Sequence, residues 1–188
     1  MKQIPKETIL RASRGDMEAF KEIYDISSGF VYTVVYRIVR NSEDAQEVTQ
    51  DVFMSIYQKI NTFRFKSSLK TWLYRIATNR AINMYRKRAK EKGRKVTFED
   101  NIKYDSDVFN KTAVNFEREH AEKLVKAMLG SLPCEQRACI VLKDIEGLRY
   151  QEIAEVLGIK INTVRSRLKR AREKLLALKE TGESSHEM

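Results

Sequence analysis

The chain has 188 residues, enough for one medium domain or two small ones, and carries 36 Lys and Arg against 26 Asp and Glu, a net charge of +10. A basic balance of that size favours polyanionic partners, because each phosphate neutralised releases condensed counterions. Cys134 and Cys139, with His120 and His186, have no metal-ligand spacing, which argues against a zinc site, a disulfide framework and any metal or other cofactor. Two thiols fit a reducing compartment. The start, from Met1 to Glu7, lacks the apolar core of a signal peptide, and no apolar run could span a bilayer. The expectation is a soluble, cytoplasmic protein.

Apolar residues recur at helical spacing almost throughout, with seven Gly, two Pro and no sustained alternating pattern, so the fold class is all-α. A first helix is expected over Lys6–Arg14, stopped by Gly15. Asp16 caps a longer one with Ala19, Phe20, Ile23 and Tyr24 on its inner face. Its pattern loosens at Ser27-Ser28-Gly29 and resumes over Phe30–Val39. Asn41 or Ser42 caps the next helix, Glu43–Ile60, whose Ala45, Val48, Val52, Ile56 and Ile60 share one face. Asn61–Ser68 is a polar loop holding Phe63 and Phe65, and a further helix runs from Leu69 to Lys90, closing a first domain over 1–91.

Residues 92–116 are acidic with scattered aromatics, the composition of a flexible linker. A second helical domain follows over 117–179. It is broken at Leu132-Pro133 and at Glu146-Gly147, and ends in a polar tail, 180–188, expected to be disordered.

Charge is concentrated in two places. Arg64–Lys95 holds twelve Lys and Arg and one acid, a net +11, and Asn162–Lys179 nets +6, which leaves −7 on the remainder. Two basic segments on an otherwise acidic chain predict two separate contact surfaces.

The second basic segment lies on a motif. A short helix over Tyr150–Leu157 ends at Gly158, a residue suited to the left-handed conformation of a tight turn, with the small Ala154 one turn earlier. Asn162 or Thr163 then caps another helix. Ala154, Gly158 and Val164 at this spacing make a helix-turn-helix, whose second helix enters the DNA major groove. At about 100° per residue, Val164, Leu168, Ala171 and Leu175 face the core, and Asn162, Ser166, Lys169, Arg170 and Glu173 face outward. Arg165, Arg167 and Arg172 flank that face. The central residues suit base edges, and the flanking arginines suit phosphates.

A helix-turn-helix also serves repressors and activators, so the first domain must decide. Asp44–Phe53 (DAQEVTQDVF) and Ser67–Asn83 (SSLKTWLYRIATNRAIN) closely resemble conserved regions of the sigma-70 family. The match is to its extracytoplasmic-function (ECF) branch, which keeps only the second and fourth family domains. In the second half, Ser131-Leu132-Pro133, Glu146–Ala154 (EGLRYQEIA) and Thr163–Leu168 (TVRSRL) are similar to that branch's fourth domain. The resemblance covers nearly the whole chain in the expected order. It implies a region 2 helical bundle and a region 4 helix-turn-helix, in a factor that directs promoter-specific initiation by core RNA polymerase.

By that resemblance, the polar face formed by Glu47, Gln50, Asp51, Met54 and Gln58 docks on the clamp helices of the largest polymerase subunit. The fourth domain meets the polymerase flap and reads the −35 element as duplex through Asn162, Thr163, Arg165, Ser166, Arg167, Lys169, Arg170 and Arg172. The −10 reader is Phe63, Arg64, Phe65, Lys66 and Ser67, continued by Asn79, Arg80, Asn83 and Arg86. Catching bases taken out of the duplex needs apolar or stacking surfaces with cations along the strand, and these residue types supply both. Trp72 shares a helix face with Leu69, Leu73 and Ile76 and is assigned to the core, while Tyr85 fits either role. The loop departs from the family in lacking the acidic and glycine residues often found before the Leu-Lys-Thr-Trp run, which leaves its preferred −10 base open.

The resemblance further implies weak DNA affinity for the free protein and a linker near the RNA exit path. It also implies control by an anti-sigma factor, often membrane-bound, and no small-molecule substrate. An activator or repressor without sigma activity would need a ligand-binding or phosphoryl-accepting domain, and the first 90 residues show no α/β pattern. A nucleic-acid-processing enzyme would want clustered carboxylates for metal, or a nucleophile with its base. Glu99, Asp100, Asp105 and Asp107 lie on the linker with no His or Cys nearby.

Overall fold

The computed structural model describes residues 2–91, 93 and 116–183, with backbone alone at 116–123 and 179–183. Eight α-helices are found among them: α1 (Lys6–Ser13), α2 (Met17–Val39), α3 (Ser42–Lys59), α4 (Leu69–Glu91), α5 (Phe116–Ser131), α6 (Cys134–Ile140), α7 (Tyr150–Leu157) and α8 (Ile161–Glu183). The all-α expectation holds for the described residues. Most of the linker, 92 and 94–115, and the end of the tail, 184–188, lie outside them. By backbone contacts the chain divides into two compact units, Met1–Tyr85 with Glu155–Gly158, and Arg86–Ala154 with Ile159–Met188.

In the first unit, local sequence sets where helices start. The Asp16 carboxylate accepts from the Ala19 N–H at 3.0 Å, and the Asn41 side chain accepts from the Asp44 N–H at 2.8 Å. Each satisfies one of the four donors a helix start leaves open. The Ala19 bond, with the Arg11 guanidinium at 2.7 Å, holds the Asp16 carboxyl below its ordinary range. Arg40 turns the chain in a left-handed conformation (φ 66°), so α2 and α3 form a helical hairpin with a two-residue connection. The expected loosening at Ser27–Gly29 does not break α2. Ser27 is buried there and donates to the Ile23 carbonyl, so its hydroxyl is satisfied inside the helix.

The core of this unit takes Ile23, Val31, Val34, Val35 and Ile38 from α2, and Leu73, Tyr74, Ala77 and Ala81 from α4. From α3 it takes Ala45, Val48, Val52 and Ile56, and the expected inner face of that helix is the one found. Fully burying a Val, Leu or Ile side chain contributes about 1.5–3 kcal/mol, so this apolar stripe holds the helices together. Ile60–Thr62 forms a 3-10 turn after α3, and residues 63–68 lead to α4. Ser68 starts α4 by accepting from the Thr71 N–H at 3.0 Å.

In the second unit Pro133 ends α5 and begins α6. Arg137, only 1% exposed, donates to the Leu132 carbonyl at 2.8 Å and so satisfies an acceptor that the break leaves open. The sequence pattern predicts helix through Ile145. The chain continues instead as a π-type turn over Val141–Ile145, with the Glu146 N–H on the Val141 carbonyl at 2.9 Å, and breaks at Gly147 (φ 77°). At the start of α7, the Glu152 carboxylate accepts from the Arg149 N–H at 2.7 Å, the reciprocal half of a capping box. Leu129, Leu132, Ala138, Cys139, Leu142 and Ile153 are buried with Val164, Leu168 and Ala171 of α8. Leu175, the fourth residue expected to face inward, is half-buried.

Candidate nucleic-acid interface

The turn before α8 is built on Gly158. At φ 64° it lets the Ile159 N–H reach the Ala154 carbonyl at 3.0 Å, the long-range bond of a Schellman motif. The helix begins at Ile161, two or three residues earlier than a cap at Asn162 or Thr163 would place it. Asn162 and Thr163 do not cap it; the Lys160 carbonyl receives the Thr163 and Val164 N–H groups at 2.9 and 3.2 Å. Asn162 therefore stands on the first turn of the helix, and Arg165 donates to its Oδ1 at 3.1 Å.

Asn162, Arg165, Ser166, Lys169 and Arg170 are all exposed, while Val164, Leu168 and Ala171 are buried opposite them. Lys169 makes an open 3.8 Å pair with Glu173. The two other arginines differ. Arg172 reaches Asp144 of the π-type turn at 2.8 Å, which raises its already high pKa. Arg167 is half-buried beside Cys139. Burial pushes the Cys139 thiol up to about 11 despite that positive neighbour, and the Cys134 thiol up to about 12. Both cysteines are buried.

The first unit offers a different surface. Phe63 lies between two rings, with centroids 4.9 Å from Phe65 and 5.3 Å from Trp72. The Lys6 ammonium sits 5.1 Å from the Phe65 ring centre, completing a row of one cation and three aromatics. Phe65 is 38% exposed and takes a left-handed backbone (φ 55°), uncommon for an L side chain. Arg64, Lys66 and Ser67 are exposed around it. Trp72 is half-buried; its ring, expected in the core, packs on Phe63 and lines a cavity. Tyr85 is buried.

Two cavities flank this row. One, about 320 Å3, is lined by Trp72 with Lys59, Arg75, Asn79, Arg80 and Asn83. The other, about 410 Å3, is bounded by Phe63, Phe65, Ser67 and Lys70 and, across from them, by the start of the chain. The structure thus brings Asn79, Arg80 and Asn83 to one cavity and Phe63, Phe65 and Ser67 to the other. Arg86 is exposed further along α4. Arg75, outside the set that the resemblance implies, lines the first cavity with Asn79 and Asn83, and their spacing (i, i+4, i+8) places all three on one helix face. Lys2 and Lys6 had no local signal at all, since their proximity to the loop is a matter of tertiary packing.

The outer face of α3 exposes Glu47, Gln50 and Gln58, with Met54 62% exposed. Asp51 is half-buried and pairs with Arg80 at 3.2 Å, while Arg80 also donates to Ser55. This face is more apolar than its expected polar set. Tyr57, one turn beyond Met54, is 51% exposed and meets Phe20 edge-on at 5.1 Å. Tyr24 meets Phe53 in the same way at 4.7 Å.

The chain thus presents a Gly-closed turn feeding a helix with exposed cations, and an aromatic loop beside cation-lined cavities. The family model described as Sigma-70 region 2 matches residues 23–91, and that described as Sigma-70, region 4 matches residues 122–175. The chain is 34% identical to the ECF RNA polymerase sigma factor SigW of Bacillus subtilis over 185 residues, covering 93% of this chain and 96% of that one. It is also 34% identical to the ECF RNA polymerase sigma-E factor of Escherichia coli over 172 residues, 87% of each. Among solved structures, CnrH in complex with the cytosolic domain of CnrY superposes with a TM-score of 0.64 at 25% identity, covering 93% of this chain and 96% of that chain. The sigma factor RpoE in complex with the anti-sigma factor NepR from Bartonella quintana gives 0.64 at 26%, covering 86% and 96%.

The chain belongs to the ECF sigma factors of the sigma-70 family. It is an alternative sigma factor that binds core RNA polymerase and promoter DNA and directs promoter-specific initiation.

Proposed function

We propose that the two surfaces divide promoter recognition between them, with working domains over 1–91 and 117–179 and a linker over 92–116 that sets the spacing of the two elements. Asn162, Ser166, Lys169 and Arg170 read the −35 element as duplex, where side chains on a regular helix reach base edges in the major groove, while Arg165 beside them neutralises a phosphate. Thr163, Arg167 and Arg172 support that helix from its flanks and approach phosphates. Phe63, Arg64, Phe65, Lys66 and Ser67, with Asn79, Arg80, Asn83 and Arg86, hold the −10 element after its strands part. An unpaired base presents a face to stack on and a phosphate to neutralise, and the aromatic row between cation-lined cavities offers both. That juxtaposition carries the reading.

Glu47, Gln50, Asp51, Met54 and Gln58 form the docking face for the polymerase clamp helices, and Tyr57 and Tyr24 extend it. Anchors of this mixed kind suit a protein partner better than charge alone. The chain acts in the cytoplasm and performs no chemistry of its own. An anti-sigma factor restrains it, in keeping with the complexes in which its structural relatives were solved.

Run-off transcription with purified bacterial core polymerase and a randomised promoter library tests the reading. Transcripts from a defined set of −35 and −10 sequences are expected only when the protein is present. Tight, specific duplex binding by the protein alone, without such transcripts, would sink it.

A further inference from the structure

The cavity beside the −10 loop is lined in part by a stretch of the chain that the region 2 match does not cover. Lys2, Gln3, Ile4, Lys6 and Ile9 line it opposite Phe63, Phe65 and Ser67, yet the region 2 match begins only at residue 23. This wall is anchored. Ile4 and Ile9 are buried, while Lys2, Gln3 and Lys6 remain exposed. The same segment reaches the one loop residue whose backbone most needs support. Phe65 holds its left-handed conformation with the Phe63 ring on one contact and the Lys6 ammonium on another. Ser68 is already committed to the start of α4, so Ser67 is the hydroxyl left to face the cavity.

We infer that the N-terminal segment Lys2–Lys6 is a specificity element of the −10 site: it forms the outer wall of a cavity for one unpaired nucleotide, and Lys6 positions Phe65 through its ring face. The chemistry matches that ligand. Ile4, Ile9 and the phenylalanine rings offer apolar surface to a base, and Lys2 and Lys6 on the same lining bring positive charge for a phosphate, whereas the Lys70 ammonium lies over the Phe30 and Tyr74 rings. The volume, about 410 Å3, falls in the range of small-molecule sites. This inference rests on the capture of −10 bases proposed above. It adds that the loop does not read alone, because its conformation is held from some sixty residues away.

The test uses the full-length protein assembled with bacterial core polymerase on a promoter selected by the wild-type holoenzyme. 2-Aminopurine is placed in turn at each non-template −10 position, and Lys6→Ala and Lys6→Arg are compared with wild type. Lys6→Ala should lower base discrimination and the fluorescence change about two- to fivefold at one −10 position, the size of an exposed cation–π contact. Preference at −35 and the melting temperature should stay as in wild type, and Lys6→Arg should restore the signal. Wild-type behaviour of Lys6→Ala at every position overturns the inference and leaves −10 capture standing. So does a loss that is uniform across the −10 positions and salt-sensitive, even though Lys6→Arg rescues it, because a charge-preserving rescue without position dependence would make Lys6 a phosphate contact only. Absence of any fluorescence change in the wild-type −10 region defeats the capture reading itself.

Discussion

The reading surface on α8 and the one around Phe63 are both basic, but they are built on opposite principles. On α8 the candidate residues stand outward on a regular helix whose buried Val164, Leu168 and Ala171 fix its rotation. Around Phe63 most of them line cavities, beside a row in which Phe63 meets Phe65 of the loop at 4.9 Å and Trp72 of α4 at 5.3 Å. The proposed division of promoter recognition accounts for the difference by the state of the ligand. A duplex presents base edges in a groove, so a convex helix suffices. An unpaired base presents a face, so the site needs concavity and stacking. Positive charge is common to both and distinguishes neither.

The contrast can be broken most forcefully at the scaffold. Leu168→Ala leaves a cavity beneath α8 and should destabilise the protein by about 2–5 kcal/mol, as followed by chemical denaturation. Duplex recognition at −35 should fail with it. Phe63→Ala removes the central ring of the row and should weaken −10 opening by about 1–3 kcal/mol, visible as lost permanganate reactivity of −10 thymines with −35 preference intact. Equal loss at both elements would erase the distinction between the surfaces.

Arg170→Ala should cost about 1–3 kcal/mol and relax sequence preference at one −35 position in a selection experiment. Arg165→Ala should instead weaken all sequences alike and lower the salt slope by about one. A smaller effect is expected from Asp51→Asn, which removes the exposed pair with Arg80 and should change stability by about 0.2–1 kcal/mol.

The smallest effects concern the buried thiols. With Cys134 pushed up to about 12 and Cys139 up to about 11, both should be protonated at neutral pH and alkylated far more slowly in the folded protein than after unfolding. The sign for stability follows. Neutral thiols favour the folded state, so their contribution is full below the ordinary thiol value near 9 and is lost as pH rises towards 11 and 12. Rapid labelling of the native protein at pH 7 would contradict this.

Local chemistry made much of the molecule legible. The caps at Asp16 and Asn41, the break at Pro133 and the turn at Gly158 each follow from one side chain or one backbone preference. The rotation of α3 and α8 follows from periodicity, because a helix buries its apolar stripe. Other features depend on groups distant in sequence. At Ser27–Gly29 the helical pattern loosens in the sequence, yet the helix runs on with the Ser27 hydroxyl donating to the Ile23 carbonyl. Trp72 reads as core by spacing, whereas packing leaves it half-buried against Phe63.

By itself, then, the sequence determined the helices, the two basic segments and the family to which the chain belongs, because these rest on periodicity, composition and short-range order. Tertiary structure alone decided that Arg172 meets Asp144, that Arg80 joins Asp51 and Ser55, and that Lys6 lies over Phe65. Such pairings join residues tens of positions apart, and no periodic pattern records which side chains a fold brings within reach.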